Sequence, residues 1–342
     1  MKTFITGQIV RHVAFSIGVA GLLAGSPALA ESTPALVCGT GGADLVKLEG
    51  LDVAALAQTA AERAKDRLGG VEAKTVIVHS FTPYPADKVL EGVARVFPKA
   101  ITMGGPVYGV ITEDGNVHSV GVMAVGGGVE VTTAIASMDG GAIKAADTLA
   151  AGLHDALATA SSNGWSSAAI VFGDCIQPRD GALLKQFAAK VGTELPVSGG
   201  ASAGGVYYQG AVVSNSVVAV LLSGPFELGH ALMGSTGARD AKDLLRLSRG
   251  AADQAVGGAT NRVGFAYVAN CVSRRNALGK LLPDESLAFR AATGEAPVFG
   301  FYGNGEIGRN SAVEPSAGAT HSIGVTVFRT KAGPAETAPP GR

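Results

Sequence analysis

One run of elements recurs three times along this chain, and self-similarity at a steady spacing limits a fold more tightly than any single motif. Val76-Ile-Val-His-Ser80, Ala169-Ile-Val-Phe-Gly-Asp-Cys175 and Gly264-Phe-Ala-Tyr-Val-Ala-Asn-Cys271 are apolar runs of strand length that end in polar residues. Each leads into an amphipathic stretch, Asp87 to Phe97, Gly181 to Val191 and Leu281 to Ala292. A second short strand with a glycine-rich corner follows: Ile101 to Gly105, Leu195 to Gly200, Val298 to Gly303. A closing strand repeats almost literally, as Ser119 to Val125, Ser216 to Leu222 and Ser322 to Phe328. A helical stretch free of proline precedes each unit, over Val53 to Arg67, Ala142 to Thr159 and Asp240 to Ala255.

The order predicted per unit is helix, strand, helix, strand, hairpin. Val129 to Ile135 and Phe226 to Leu232 read as further strands, each expected to pair with the strand before it across a glycine turn. Asp114-Gly115 inside Val110 to Val117 predicts a tight hairpin. Such mixed order specifies an α/β fold of layered mixed sheets with helices and argues against a doubly wound parallel sheet. The glycine corners, Gly199-Gly200 and Gly204-Gly205 among them, match neither a Walker loop nor a dinucleotide fingerprint and are read as tight turns.

Composition excludes some partners. The 342 residues are 47% hydrophobic, enough for a sizeable core, and carry 27 basic against 28 acidic residues. With no basic excess to neutralise a phosphate backbone, nucleic acid is not an expected partner. The charged share of 16% is low and the 49 glycines point to many turns and close backbone contacts.

Residues 1–30 read as a signal peptide. Lys2, Arg11 and His12 precede an apolar run from Val13 to Ala24, and Ser26-Pro-Ala-Leu-Ala30 supplies an Ala-x-Ala cleavage pattern before Glu31. The apolar run is too short to span a bilayer, and Ala35-Leu-Val-Cys38 lacks the small residue that precedes a lipidated cysteine. The expectation is a soluble periplasmic or secreted protein with no membrane anchor after cleavage. The tail 331–342, with three prolines and no apolar periodicity, is expected to be disordered. The three cysteines Cys38, Cys175 and Cys271 allow at most one internal disulfide and show no CxxC or zinc spacing.

Phe299-Gly-Phe-Tyr-Gly-Asn-Gly-Glu-Ile-Gly308 resembles the signature of the C-terminal part of FIST proteins, a family of bacterial sensory modules. Ala269-Asn-Cys-Val-Ser-Arg-Arg-Asn-Ala-Leu-Gly279 is similar to the Cys and Arg loop of the same part, and Val76 to Gly105 to the family's N-terminal half. The resemblance spans roughly Leu36 to Thr330, divided into a FIST N-like region over 36–232 with two units and a FIST C-like region over 233–330. It implies sensing of a small molecule such as an amino acid, haem binding in some members, and a signalling protein as partner. The export signal and the lack of an attached kinase, cyclase or methyl-accepting segment depart from that pattern.

Candidate ligand residues follow from the strand ends, where backbone polar groups are free and ligands of layered α/β proteins tend to sit. His79 and Ser80, Asp174 and Cys175, and Asn270 and Cys271 occupy equivalent positions there. Arg179, Arg274 and Arg275 follow, and a guanidinium fork binds a carboxylate bidentately. Glu306 can answer a ligand amine, Asn304 lies in the same signature, and Tyr302 and Tyr108 can wall the pocket. Arg with Glu suits a zwitterion. The competing reading is structural, with Arg274 and Glu306 forming one ion pair between two loops.

An exported hydrolase is the alternative from another class. Ser202 in Gly200-Ala-Ser-Ala-Gly204 is reminiscent of a nucleophile elbow, with His230 and Asp240 completing a triad by type, and Cys271 beside arginines is the other candidate nucleophile. A hairpin rather than a helix is expected after Ser202, which removes the usual oxyanion donors, so binding without catalysis is preferred. No metal site is expected, since no HxxxH or HxH pair occurs. A haem sensor remains a further alternative, because one His or Cys can hold haem, though no CxxCH is present.

Overall fold

The computed structural model describes residues 36–44, 52–115, 118–174, 181–234, 240–257, 262–308 and 321–330. The segment 1–30 read as a signal peptide, the tail 331–342, Cys175 and Arg179 lie outside the described residues.

The chain runs through β1 (Leu36–Ala43), α1 (Val53–Arg67), β2 (Ala73–Phe81), α2 (Ala86–Val96), β3 (Ile101–Val107), β4 (Gly109–Thr112) and β5 (Val120–Gly127). It continues with β6 (Glu130–Ser137), α3 (Gly141–Ser162), β7 (Ser166–Gly173), α4 (Ala182–Val191), β8 (Val197–Ala201), β9 (Val206–Tyr208), β10 (Ala211–Val213) and β11 (Ser216–Gly224). The last part holds β12 (Phe226–Met233), α5 (Ala241–Val256), β13 (Arg262–Cys271), α6 (Val272–Leu278), α7 (Leu282–Thr293), β14 (Val298–Gly303), β15 (Glu306–Gly308) and β16 (Ile323–Thr330). Helix starts follow the capping chemistry of the sequence: Asp52 Oδ1 accepts from Ala55 N at 2.6 Å and Asp240 Oδ1 from Asp243 N at 2.8 Å. No helix among the described residues is long and apolar enough to cross a membrane.

These elements make an α/β fold with three mixed sheets, ordered β1-β5-β2-β3-β9-β10, β6-β11-β7-β8-β15 and β12-β16-β13-β14-β4. In each, the second and fourth strands run antiparallel and parallel, respectively, to the strand between them. The fifth strand of every sheet comes from a different part of the chain. Tyr207 and Tyr208 of β9 pair with β3, Glu306 to Gly308 of β15 with β8, and Gly109 to Thr112 of β4 with β14.

This lending of strands overturns two expected pairings. β6 and β12 exist, but β6 pairs with β11 and β12 with β16, not with the strands that precede them. At Gly127, φ 76, the chain leaves one sheet and enters the next instead of folding back. The Asp114-Gly115 turn forms, with Gly115 N donating to Thr112 O at 3.0 Å, yet β4 gives its hydrogen bonds to β14 rather than closing a hairpin with β5.

The glycine corners also differ from the turns expected of them. Gly104 and Gly199 lie inside β3 and β8 at φ 133 and 140. A Cβ there would sit 2.0 Å from Val78 O and 1.7 Å from Val171 O. Their neighbours Gly105 and Gly200 leave room for rings of adjoining sheets, since a Cβ would lie 2.7 Å from Phe172 Cε1 and 2.9 Å from Phe301 Cζ. One core joins the inner faces of all three sheets, with Ile77, Met103 and Met123 from the first, Ile170, Phe172 and Val218 from the second, and Tyr267, Phe299, Phe301 and Phe328 from the third. The other face of each sheet packs on its own helices, α1 with α2, α3 with α4, and α5 with α7.

Gly199→Ala tests this packing. Positive φ and a blocked Cβ should together cost about 2–4 kcal/mol, read as a lower urea midpoint with an unchanged slope. A loss within error of zero would mean that β8 does not approach β7 as described.

Candidate functional site

The corners that follow the parallel strands meet at one place. Ala203 N donates to Pro106 O at 2.8 Å, Ala201 N to Gly305 O at 2.8 Å, and Tyr108 N to Tyr302 O at 3.0 Å. Main-chain bonds thus tie the ends of β3, β8 and β14 to one another, as the exchanged strands require.

Several predicted residues line this junction. Asp174, directly after β7, accepts from Gly205 N through Oδ1 and from Asn215 N through Oδ2, both at 2.6 Å, so its carboxylate orders two loops. Asn304 is exposed in the turn between β14 and β15, and Glu306 begins β15 opposite Gly200. Cys271 is half-buried at the end of β13, with Ser273 Oγ 2.9 Å from its sulfur. Tyr108 is half-buried at the head of β4.

Arg274 and Tyr302 have a different setting from the one expected. Both are buried, and both meet Glu285. Arg274 donates to Glu285 Oε1 from Nη2 at 2.6 Å and from Nε at 3.2 Å, and also from Nη2 to Leu244 O at 2.9 Å and Ser248 Oγ at 2.5 Å and from Nη1 to His321 O at 3.0 Å. Glu285 Oε1 also lies 2.6 Å from Ser248 Oγ, while Oε2 accepts from Asn270 Nδ2 at 2.9 Å and from the Tyr302 hydroxyl. Burial, and next the Glu285 charge, hold the Tyr302 hydroxyl well above its ordinary pKa. With its fork spoken for, Arg274 underpins the loop instead of facing a ligand. The sequence signal for Glu285 was its place four residues before the buried Phe289, which puts a carboxylate on the apolar face of α7.

His79 lies in the common core, not on a loop. Its ring stacks on Phe299 at 5.3 Å and 10°, packs against Phe172 and Phe301 at 5.0 and 4.9 Å, and shares a hydrogen bond of 3.0 Å between Nε2 and the Tyr267 hydroxyl. Burial pushes its pKa down to about 3, opposed in part by the Gly105 main chain. The hydrolase residues each have separate partners. Ser202 Oγ donates to Asp174 O at 3.4 Å, His230 Nδ1 lies 2.8 Å from Thr326 Oγ1, and Asp240 caps α5. No such triad is assembled.

Clefts of about 610 and 560 Å³ open at the opposite, amino-terminal ends of the strands. The first is lined by Arg67, Glu113, Arg262 and Glu295, of which Arg67 and Glu113 are already paired and Arg262 and Glu295 are exposed. Neither cleft presents buried polar groups aimed inward, which is what a specific pocket needs. Among the described residues no cluster of three or more His, Cys, Asp or Glu suits a metal ion.

Sequence models of the two halves of one family match this chain, the FIST N domain over residues 74–237 and the FIST C domain over 201–309. The chain belongs to the FIST family. FIST domains are small-ligand sensory domains. No curated protein matches the sequence. Among solved structures, the chain is similar to a chorismatase at 12% identity and TM-score 0.39, covering 88% of this chain and 100% of that one. It is also similar to a cyanuric acid hydrolase from A. caulinodans at 15% identity and TM-score 0.31, covering 56% and 72%. A third, T. maritima PurL complexed with ATP, shows 13% identity and TM-score 0.27 over 86% and 72%. None of these carries an argument about activity.

Two outcomes follow for this FIST chain. Arg274→Ala strands Glu285 in the core and should cost about 3–5 kcal/mol in denaturant unfolding, whereas Arg274→Ala with Glu285→Gln should recover part of that loss. A near-neutral single variant would contradict the buried pair. His79 must charge when the chain unfolds in acid. Its folded pKa lies below the unfolded value near 6.5, so the unfolded state binds more protons between about 3 and 6.5 and stability falls as pH drops through that window. His79→Phe should flatten this part of the stability profile, and an unchanged acid slope would show that His79 is not the group responsible.

Proposed function

We propose that this protein is an exported FIST-type sensory module that binds an amino-acid-like molecule at the junction of strand-end corners and passes the signal to a partner protein. The observation that supports the reading is the main-chain bonding among the β3, β8 and β14 ends, since Asp174, Cys271, Asn304 and Glu306 stand just past or at the ends of these strands and their parallel neighbours. Arg179 belongs to the same proposed set by its sequence position after β7. In this reading Glu306 answers the ligand amine, Asn304 hydrogen-bonds its polar head, and the Arg274–Glu285 network keeps the loop bearing Cys271 in place.

Location is proposed from the leader alone. Cleavage after Ala30 would release a periplasmic protein beginning at Glu31, where a partner protein would receive the signal.

Calorimetry of the mature protein against the twenty amino acids tests the ligand class. At least one should bind, and Glu306→Gln and Asn304→Ala should each weaken it by about tenfold, near 1.4 kcal/mol, with melting temperature unchanged. No heat with any of them would overturn the amino-acid reading, and a Soret band in the purified protein would replace it with haem. Amino-terminal sequencing of the exported chain should begin at Glu31; finding Met1 would remove the periplasmic assignment.

A further inference from the structure

The adjacent arginines of α6 divide into two roles. Arg274 turns inward to Glu285, while Arg275 turns toward the first part of the chain and is half-buried. Its guanidinium carbon stands 5.8 Å from the centre of the Phe81 ring, and Nη2 donates to His118 Nε2. Phe81 in turn packs on the His118 ring at 4.5 Å, and the Tyr84 hydroxyl donates to His118 O at 2.9 Å.

What this cluster lacks, among the described residues, is an anion for its cation. Arg275 Nε is shielded from solvent with no hydrogen-bond partner, and no carboxylate of the described residues forms an ion pair with the group. A buried guanidinium donor without an acceptor is rare enough to call for one. Arg275 instead leans on a neutral imidazole. The Nε and Nη2 edge of a guanidinium is the edge that takes both oxygens of a carboxylate. Here Nη2 is held by an uncharged acceptor and Nε by none.

We propose that Arg275 and His118 form a carboxylate-recognition subsite, at which the acid group of the ligand takes the place of the imidazole on Arg275 Nη2, accepts from Nε as well, and accepts from His118 once that ring is protonated and released from the guanidinium. This rests on the small-ligand reading above and sharpens it, because the carboxylate partner becomes Arg275 rather than the sealed Arg274. The subsite joins the loop before β5 to α6, so an occupied site bridges the first and last parts of the chain. The ionisable group that bears on His118 besides Arg275 is Asp44; burial and Arg275 lower the His118 pKa and Asp44 opposes them.

Acetate is the probe, with acetamide as the neutral control. His118 is titrated by NMR of the mature protein in 50 mM sodium acetate, in 50 mM sodium chloride, and in chloride with acetamide. Acetate should raise the His118 titration midpoint by roughly half a pH unit or more, because an anion beside the ring favours its charged form. Acetamide should leave it in place. Arg275→Ala and the fork-less Arg275→Lys should each reduce the acetate effect severalfold, with the second variant guarding against loss of local structure. No movement with acetate, or the same movement in Arg275→Ala, overturns the subsite. An amino acid that binds in calorimetry without moving His118 overturns the subsite and leaves the ligand class standing. Acetate-dependent movement with no amino acid bound supports the subsite and moves the ligand to another class of carboxylate.

Discussion

Main-chain hydrogen bonding between a strand and a sheet it does not follow in sequence is the constraint on which the rest of this structure depends. β9 completes the sheet of β3, β15 that of β8, and β4 that of β14. Each loan leaves one part of the chain unable to finish its sheet alone. The three parts therefore fold around one core, and the ends of β3, β8 and β14 are drawn to the same junction.

That constraint explains why glycine and large aromatic residues alternate at the centre. A strand can approach its neighbour closely only where Gly104 and Gly199 remove the Cβ, and the rings of Phe172 and Phe301 then occupy the space beside Gly105 and Gly200. His79 is the polar member of this cluster, kept neutral by burial. Above the core, polar residues do two kinds of work. Asp174 and the Arg274–Glu285 pair spend their hydrogen-bonding capacity on loops and helices, while Asn304 stands exposed in the turn between β14 and β15.

Much of the element order was legible because periodicity and composition act locally. The sequence marks the helix Val53–Arg67 and the strand Val298–Gly303 at their observed bounds, since apolar alternation and helix-forming composition report the state of each segment. Pairing was not legible in the same way. Whether β6 joins β5 or β11 is decided by which sheet has an unpaired edge, and a run of valines carries no such address. The site followed the same division. That Asp174, Cys271 and Asn304 stand at or just past strand ends was readable from the apolar runs before them, but Arg274 and Arg275 are neighbours of identical chemistry, and only the orientation of α6 decides which one meets Glu285. Glu285 was missed because its partners, at Ser248, Asn270 and Tyr302, are distant in sequence.

In the proposed function this FIST chain takes its ligand where the strand ends meet. Amide-resolved NMR of the ¹⁵N-labelled mature protein, titrated with the amino acid giving the greatest heat, tests it most directly. Shifts should cluster at residues 81–84, 106–108, 202–205, 271–275 and 302–306. Shifts concentrated instead at 65–73 and 96–100, or at 262–264 and 295–297, would place the ligand in the clefts at the opposite strand ends and contradict it.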